Sequence, residues 1–110
     1  MQTGNLLVDI EAPSTGERFE TLLAHRNLRI ERIISSAAAA PLEFVQTQDE
    51  WVVLLQGEAT LDVGGDRVEL RSGDYLFLPA GTAHTVQRVS DGALWLAVHL
   101  HQSQASANKA

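Results

Sequence analysis

From Glu58 to Arg71 polar and apolar residues alternate. Glu58, Thr60 and Asp62 are set against Ala59, Leu61 and Val63, and Val68 and Leu70 then fall between Arg67, Glu69 and Arg71. A period of two puts one residue class on each face of a strand. The intervening Gly64-Gly65 predicts a hairpin, because a two-residue turn needs positive φ that glycine adopts without steric cost. The same reading predicts a short strand at Tyr75 to Leu78, between turns at Ser72-Gly73 and Pro79-Ala80-Gly81. It predicts another strand from Thr82 to Val89 and, after Ser90-Asp91-Gly92, a last one from Leu94 to Leu100. Upstream, Leu28 to Ile34 fits a strand with one partly wet face, Leu6 to Ile10 reads as another, and Phe19 to Arg26 as a strand or irregular structure. Ser35 to Ala40 is too short before Pro41 for a helix and reads as a loop. Closely spaced strands punctuated by glycine and proline predict an all-β antiparallel sandwich or barrel.

Two segments are apolar on both faces. Trp51, Val53 and Leu55 oppose Val52 and Leu54, and Leu94, Leu96, Val98 and Leu100 oppose Trp95, Ala97, His99 and His101. A strand covered on both sides is central or lies at a subunit contact. The expectation is that the core covers the Leu94 face and a dimer partner the Trp95 face.

The chain has 110 residues, enough for one core and not for two. With 45% hydrophobic residues it is in the range of ordinary folded domains. It has no cysteine, so any metal must be held by nitrogen and oxygen donors. A net charge of −6 opposes attraction to nucleic acid or anionic membranes, and neither is expected as a partner. No apolar run is long enough to span a bilayer and the first ten residues lack the features of a signal peptide, so a cytoplasmic location is expected.

Gly73, Pro79, Gly81 and His84 have the spacing of the second sequence motif of the cupin family, and Glu50 and Gly57 have that of the end of its first. The chain therefore resembles a small single-domain cupin with a degenerate first motif. This implies a double-stranded β-helix, or jelly-roll barrel. The division implied is residues 1–37 as N-terminal strands completing the barrel or a dimer contact, 38–100 as the core carrying both motifs, and 101–110 as a flexible tail.

The resemblance also implies one divalent ion in the barrel mouth, held by two histidines and a glutamate of the first motif and the histidine of the second. Here the glutamate falls on Glu50 and the last histidine on His84, but the first two histidines fall on Phe44 and Gln46. Ala38 replaces the opening glycine and Arg88 the closing asparagine. Phenylalanine offers no donor, and a neutral amide oxygen is a weaker ligand than imidazole for Zn, Fe or Ni. The resulting expectation is no cofactor, or one weakly held divalent ion (Zn, Ni, Fe or Mn) on Gln46, Glu50 and His84, with His99 or His101 as helpers if they turn inward. Otherwise both of those histidines read as solvated or interface residues, and His25 has no assigned role.

Glu50 and His84 are also the candidate acid–base pair. Alternation places His84, Val86 and Arg88 on one face, so Arg88 is expected at the mouth with Phe44 and Gln46 as ligand-binding residues; its competing role is an ion pair with Glu50 or a surface acid. Three functions follow: binding of a small polar or anionic metabolite, a metal-dependent isomerase, epimerase or dioxygenase, or a ligand-free dimeric subunit. A homodimer is expected from the doubly apolar strands.

Overall fold

The computed structural model describes residues 1–38 and 41–102. All regular structure among them is strand: β1 (Glu17–His25), β2 (Leu28–Ser35), β3 (Glu43–Phe44), β4 (Asp49–Gln56), β5 (Glu58–Val63), β6 (Asp66–Arg71), β7 (Tyr75–Leu78), β8 (His84–Val89) and β9 (Ala93–Leu100). A five-stranded sheet in the order β1-β2-β9-β4-β7 faces a four-stranded sheet in the order β3-β8-β5-β6. All pairings are antiparallel. This is a single all-β domain of the jelly-roll type. The predicted hairpin is present, with Gly64 and Gly65 both at positive φ (58° and 93°). Of the segment Phe19 to Arg26, all but Arg26 belongs to the edge strand β1, and Arg26 opens the turn after it; no helix is long and apolar enough to cross a membrane among the described residues.

Register sorts the interior of the larger sheet into rows. Phe19, Ile33, Trp95 and Leu54 lie side by side at one level, and Thr21, Glu31, Ala97, Val52 and Leu76 at the next. Ala24, Arg29, His99, Glu50 and Leu78 form the third row. The opposite sheet contributes Ala59, Leu61, Leu70 and Val89 to the shared core. The interior thus grades from apolar at the Trp95 level to charged at the Glu50 level. Gly57 closes the apolar end: at φ 106°, a Cβ there would lie 2.7 Å from Ser90 Oγ and 3.1 Å from Ala93 Cα.

The faces of β9 are the reverse of the expectation. Trp95, Ala97 and His99 point into the barrel and are buried, whereas Leu96, Val98 and Leu100 lie on the outer face, half-buried or exposed, and Leu94 on that same face is fully buried. There, Leu23, Ile30, Val98, Trp51 and Phe77 make an apolar row across all five strands. Trp51 stacks obliquely on Tyr75, with ring centroids 5.6 Å apart.

Residues Leu6 to Ile10 are not a strand. Their carbonyl groups bond to side chains instead of a neighbouring strand: Arg32 Nη1 donates to Leu6 O (3.0 Å) and Val8 O (2.6 Å), and Arg18 Nη2 donates to Asp9 O (2.6 Å) and Glu11 O (3.1 Å). Asp9 sits at φ 55°, which a strand does not permit. The buried Arg32 also donates from Nη2 to both carboxylate oxygens of Glu20, at 2.8 and 2.9 Å. A guanidinium suits this site because its planar fork reaches a carboxylate and several carbonyls at once. The loop expected at Ser35 to Ala40 begins after Ser35, the end of β2, and its residues 39–40 lie outside the described residues. Of the expected tail, residues 103–110 also lie outside them, while His101 is tied to the β1–β2 turn by its N–H donating to Asn27 O at 2.8 Å.

Replacing Arg32 with methionine, an unbranched apolar side chain, removes the bonds to the Leu6 and Val8 carbonyls and leaves Glu20 with Arg18 alone. Urea unfolding is expected to show a loss of about 3 kcal/mol, as for other half-removed buried ion pairs, with faster proteolysis within residues 1–16. Unchanged stability and proteolysis would show that the N-terminal segment is held by something else.

Candidate functional site

The site begins with a tied-down turn. In the stretch Pro79-Ala80-Gly81, Ala80 N–H donates to Asp49 Oδ1 (2.8 Å) and Gly81 N–H donates to Gln46 O (2.8 Å). These bonds fasten the start of β8 to the start of β4 and the loop after β3. They fix His84 relative to Glu50 and Gln46 although the three are far apart in sequence. Across the β3–β8 pair, Phe44 is the direct partner of His84, and the rings stack with centroids 5.5 Å apart and planes at 22°.

These residues line a cavity of about 70 Å³ that also takes in Glu17 and Phe19 from β1, Glu31 from β2, Trp95 and His99 from β9, and apolar residues of both sheets. That volume holds several waters or the head of a small ligand, with the remainder lying in the mouth. Beside it, Phe19, Leu42, Phe44 and Val86 line a second hollow at the gap between β1 and β3.

The structure therefore brings together Phe44, Gln46, Glu50 and His84, and it adds Glu17, Glu31 and His99. His99 is neither solvated nor at the surface: it is 1% exposed and pairs directly with Glu50 across β4 and β9. Its Nε2 lies 2.8 Å from Glu31 Oε1 and its Nδ1 lies 3.2 Å from Gln48 Nε2. With the Gln48 amide donating to Nδ1, the proton of a neutral ring sits on Nε2 and is given to Glu31. At the Trp95 level, the indole Nε1–H donates to Ser35 Oγ (3.0 Å), whose hydroxyl donates to Glu17 Oε2 (2.7 Å).

Arg88 is not part of the site. Leu61 pairs with Val86 but Thr60 pairs with Arg88, which leaves Gln87 as an extra residue in β8. This bulge breaks the alternation, so His84 and Val86 face inward and Arg88 faces solvent beside Thr60 and Glu69. It makes no ion pair with Glu50. Its neighbour Glu69 is held below the ordinary carboxyl range chiefly by a hydrogen bond from Arg67, then by one from Thr60.

The two central carboxyl groups are driven apart. The hydrogen bond from His99 holds Glu31 below its usual value of 4.5. Burial pushes Glu50 above 4.5, against the opposing pull of His99 and His84. Glu50 is only 6% exposed and, among the described residues, its carboxylate accepts no hydrogen bond. Its neighbours are His99 on β9, Leu78 on β7 and the His84 side chain across the cavity.

The residues do not fit a tightly held metal ion. Phe44 covers one ring face of His84 and supplies no donor, and both nitrogens of His99 are engaged by protein groups. No set of three histidine, aspartate or glutamate side chains stands close enough to ligate one ion among the described residues. One imidazole, one carboxylate and one amide fall short of the donors that zinc or iron sites use.

Fold and site together define a small jelly-roll barrel with a cavity between its sheets, apolar in most of its wall and carrying a few ionisable groups. Residues 32–100 match the family model described as Cupin domain, and the chain belongs to the cupin family. It is 38% identical to a Ralstonia eutropha JMP134 protein named for a proposed mannose-6-phosphate isomerase activity, covering 93% of this chain and 100% of that one with a TM-score of 0.84. An RmlC-like cupin from Shewanella frigidimarina shares the fold at 18% identity, with a TM-score of 0.73 over 87% of this chain and 86% of that one. Quercetin 2,3-dioxygenase of Bacillus subtilis is 34% identical over 77 residues, or 70% of this chain, and this chain spans 20% of that enzyme.

Because the Glu50 value is raised on folding, its contribution to stability is full below pH 4.5 and is lost as pH rises through the raised value. Glu50→Gln, which removes the charge and keeps the shape, is expected to raise the Tm by a few degrees at neutral pH. The gain should shrink to nothing as the pH is lowered toward 4.5. Thermal melts of both proteins across that range check this, and a pH-independent difference would contradict it.

Proposed function

We propose that this protein binds a small polar molecule in the barrel cavity, with Glu50 and His84 as its polar anchors and Phe44, Phe19 and Val86 as its apolar wall. The observation that carries this reading is Glu50 itself: a buried carboxyl group with no hydrogen-bond partner among the described residues, at the wall of a cavity. Burying an unpaired carboxyl costs stability, and a ligand that donates to it recovers that cost on binding. The His84 ring, backed by Phe44 and with Nδ1 3.3 Å from Thr82 O, presents a second polar group to the same space. The anionic alternative loses its support with Arg88, since no arginine or lysine lines the cavity among the described residues. For the same reason, the phosphate in the name of the Ralstonia relative has no counterpart group to meet here.

The donor set argues for a metal-independent site. Adding Zn, Ni or Mn to metal-free protein is expected to move the Tm by less than about 1 °C, because a ligand without a site confers no stability. A saturable shift lost in His84→Ala would overturn this. A thermal-shift screen of neutral polyols, amines and carboxylates should produce stabilisation by at least one class, reduced in His84→Ala. No response from any class would reject the cavity as a binding site.

The outer face of the five-stranded sheet supports a homodimer. Trp51, Tyr75, Phe77 and Leu100 are exposed on one continuous apolar surface, and a second copy offers the same surface by two-fold symmetry. Sedimentation should show a dimer that Trp51→Glu converts to monomer; a monomeric wild type would refute it.

A further inference from the structure

The charges lining the cavity are unbalanced. Glu17, Glu31 and Glu50 contribute three carboxyl groups, set against the imidazoles of His84 and His99, and no lysine or arginine is among the lining residues. The guanidinium of Arg29, behind His99 in the same row, is not among the lining residues; its charge favours the ionised form of both Glu31 and Glu50 but is the last of the influences on each. Two of the three carboxyl groups have partners: Glu31 bonds His99, and Glu17 accepts from Ser35. Glu50 has none among the described residues, is nine-tenths buried and borders the open space. Around it the walls are aromatic and aliphatic, formed by Phe19, Phe44, Trp95, Ile33, Val52 and Val86.

A free carboxylate, a surplus of acid and aromatic walls in one small cavity suit one ligand chemistry. We propose that the cavity takes a small organic cation, an ammonium or quaternary ammonium group on a short apolar body, with the charged nitrogen against Glu50. An anion would meet three acids with no cation among the lining residues. A neutral alcohol can donate one hydrogen bond to Glu50 but leaves the charge imbalance in place. An ammonium group corrects both and, in a site shielded from water, interacts more strongly than it would at the surface. Aromatic side chains add attraction for a positive charge that they do not offer an alcohol. The size of the cavity limits the part that enters to a headgroup of a few heavy atoms.

This inference rests on the reading of the cavity as a polar binding site, and matched probes separate the two. Titration calorimetry with butylammonium, tetramethylammonium, butanol and butyrate at neutral pH compares a primary cation, a quaternary cation, a neutral analogue and an anion. The expected result is millimolar binding of at least one cation, about tenfold or more tighter than butanol, with no binding of butyrate. Glu50→Gln, whose fold is checked by circular dichroism and thermal melting, should bring the cation down to the level of butanol. Butanol binding as tightly as the cations, and lost in His84→Ala, would keep the polar site and overturn the cationic ligand. Failure of both cations to bind overturns the cationic ligand as well. Binding of any probe that persists in both Glu50→Gln and His84→Ala would overturn the cavity reading itself.

Discussion

The direct pairing of His99 with Glu50 on the two central strands of the larger sheet is the constraint around which the interior is arranged. It places two ionisable side chains side by side where a sandwich of this size would ordinarily hold leucine and valine. Each must then find a partner or remain a cost. His99 is satisfied on both sides, by Glu31 from β2 and by Gln48 from the loop before β4. That consumes the near side of the row and leaves Glu50 facing the cavity with no group of its own. The empty space and the unpartnered acid are therefore one feature: filling the space with protein would bury the carboxyl without water or ligand.

The same arrangement fits poorly with the metal ion that the family resemblance implies. Phe44 replaces a donor with a ring that packs on His84, and this packing fixes the imidazole without an ion to orient it. His99, the nitrogen donor best placed to compensate, is committed to Glu31 at a distance typical of a strong charge-assisted bond. Breaking that pair to ligate a metal would strand a buried carboxylate, so the substitutions at Phe44 and the use of His99 reinforce one another. Fold membership survives such changes because the turns at Gly57, Pro79 and Gly81 depend on backbone geometry and not on the cavity's contents.

Much of the fold was legible because it is local. Alternation and turn residues place the β5–β6 hairpin, β7, β8 and β9, and motif spacing brings Glu50 and His84 into one site. What was not legible depends on pairing across long sequence distances. Glu31 meets His99 from 68 positions away, and nothing in either segment states the register that joins them. A single extra residue, Gln87, turns Arg88 out of the barrel, and alternation read from His84 cannot detect a bulge set by the neighbouring strand. Leu6 to Ile10 has the composition of a strand, yet the arginines at 18 and 32 take its carbonyl groups first.

The reversed faces of β9 show why residue character alone assigned the wrong side to the core. Leu94, Leu96, Val98 and Leu100 are the more apolar set, so burial energy taken residue by residue sends them inward. The barrel instead needs inward volume from Trp95, whose indole N–H can reach Ser35, and inward chemistry from His99. The large sheet is in this respect inside out at its polar end, with charge within and hydrocarbon without. Such a pattern is costly for an isolated domain on both faces, since the interior holds unpaired charge and the exterior exposes an apolar row. Both costs fall when the molecule is not alone, the inner one on taking a ligand and the outer one on meeting a second surface of the same kind.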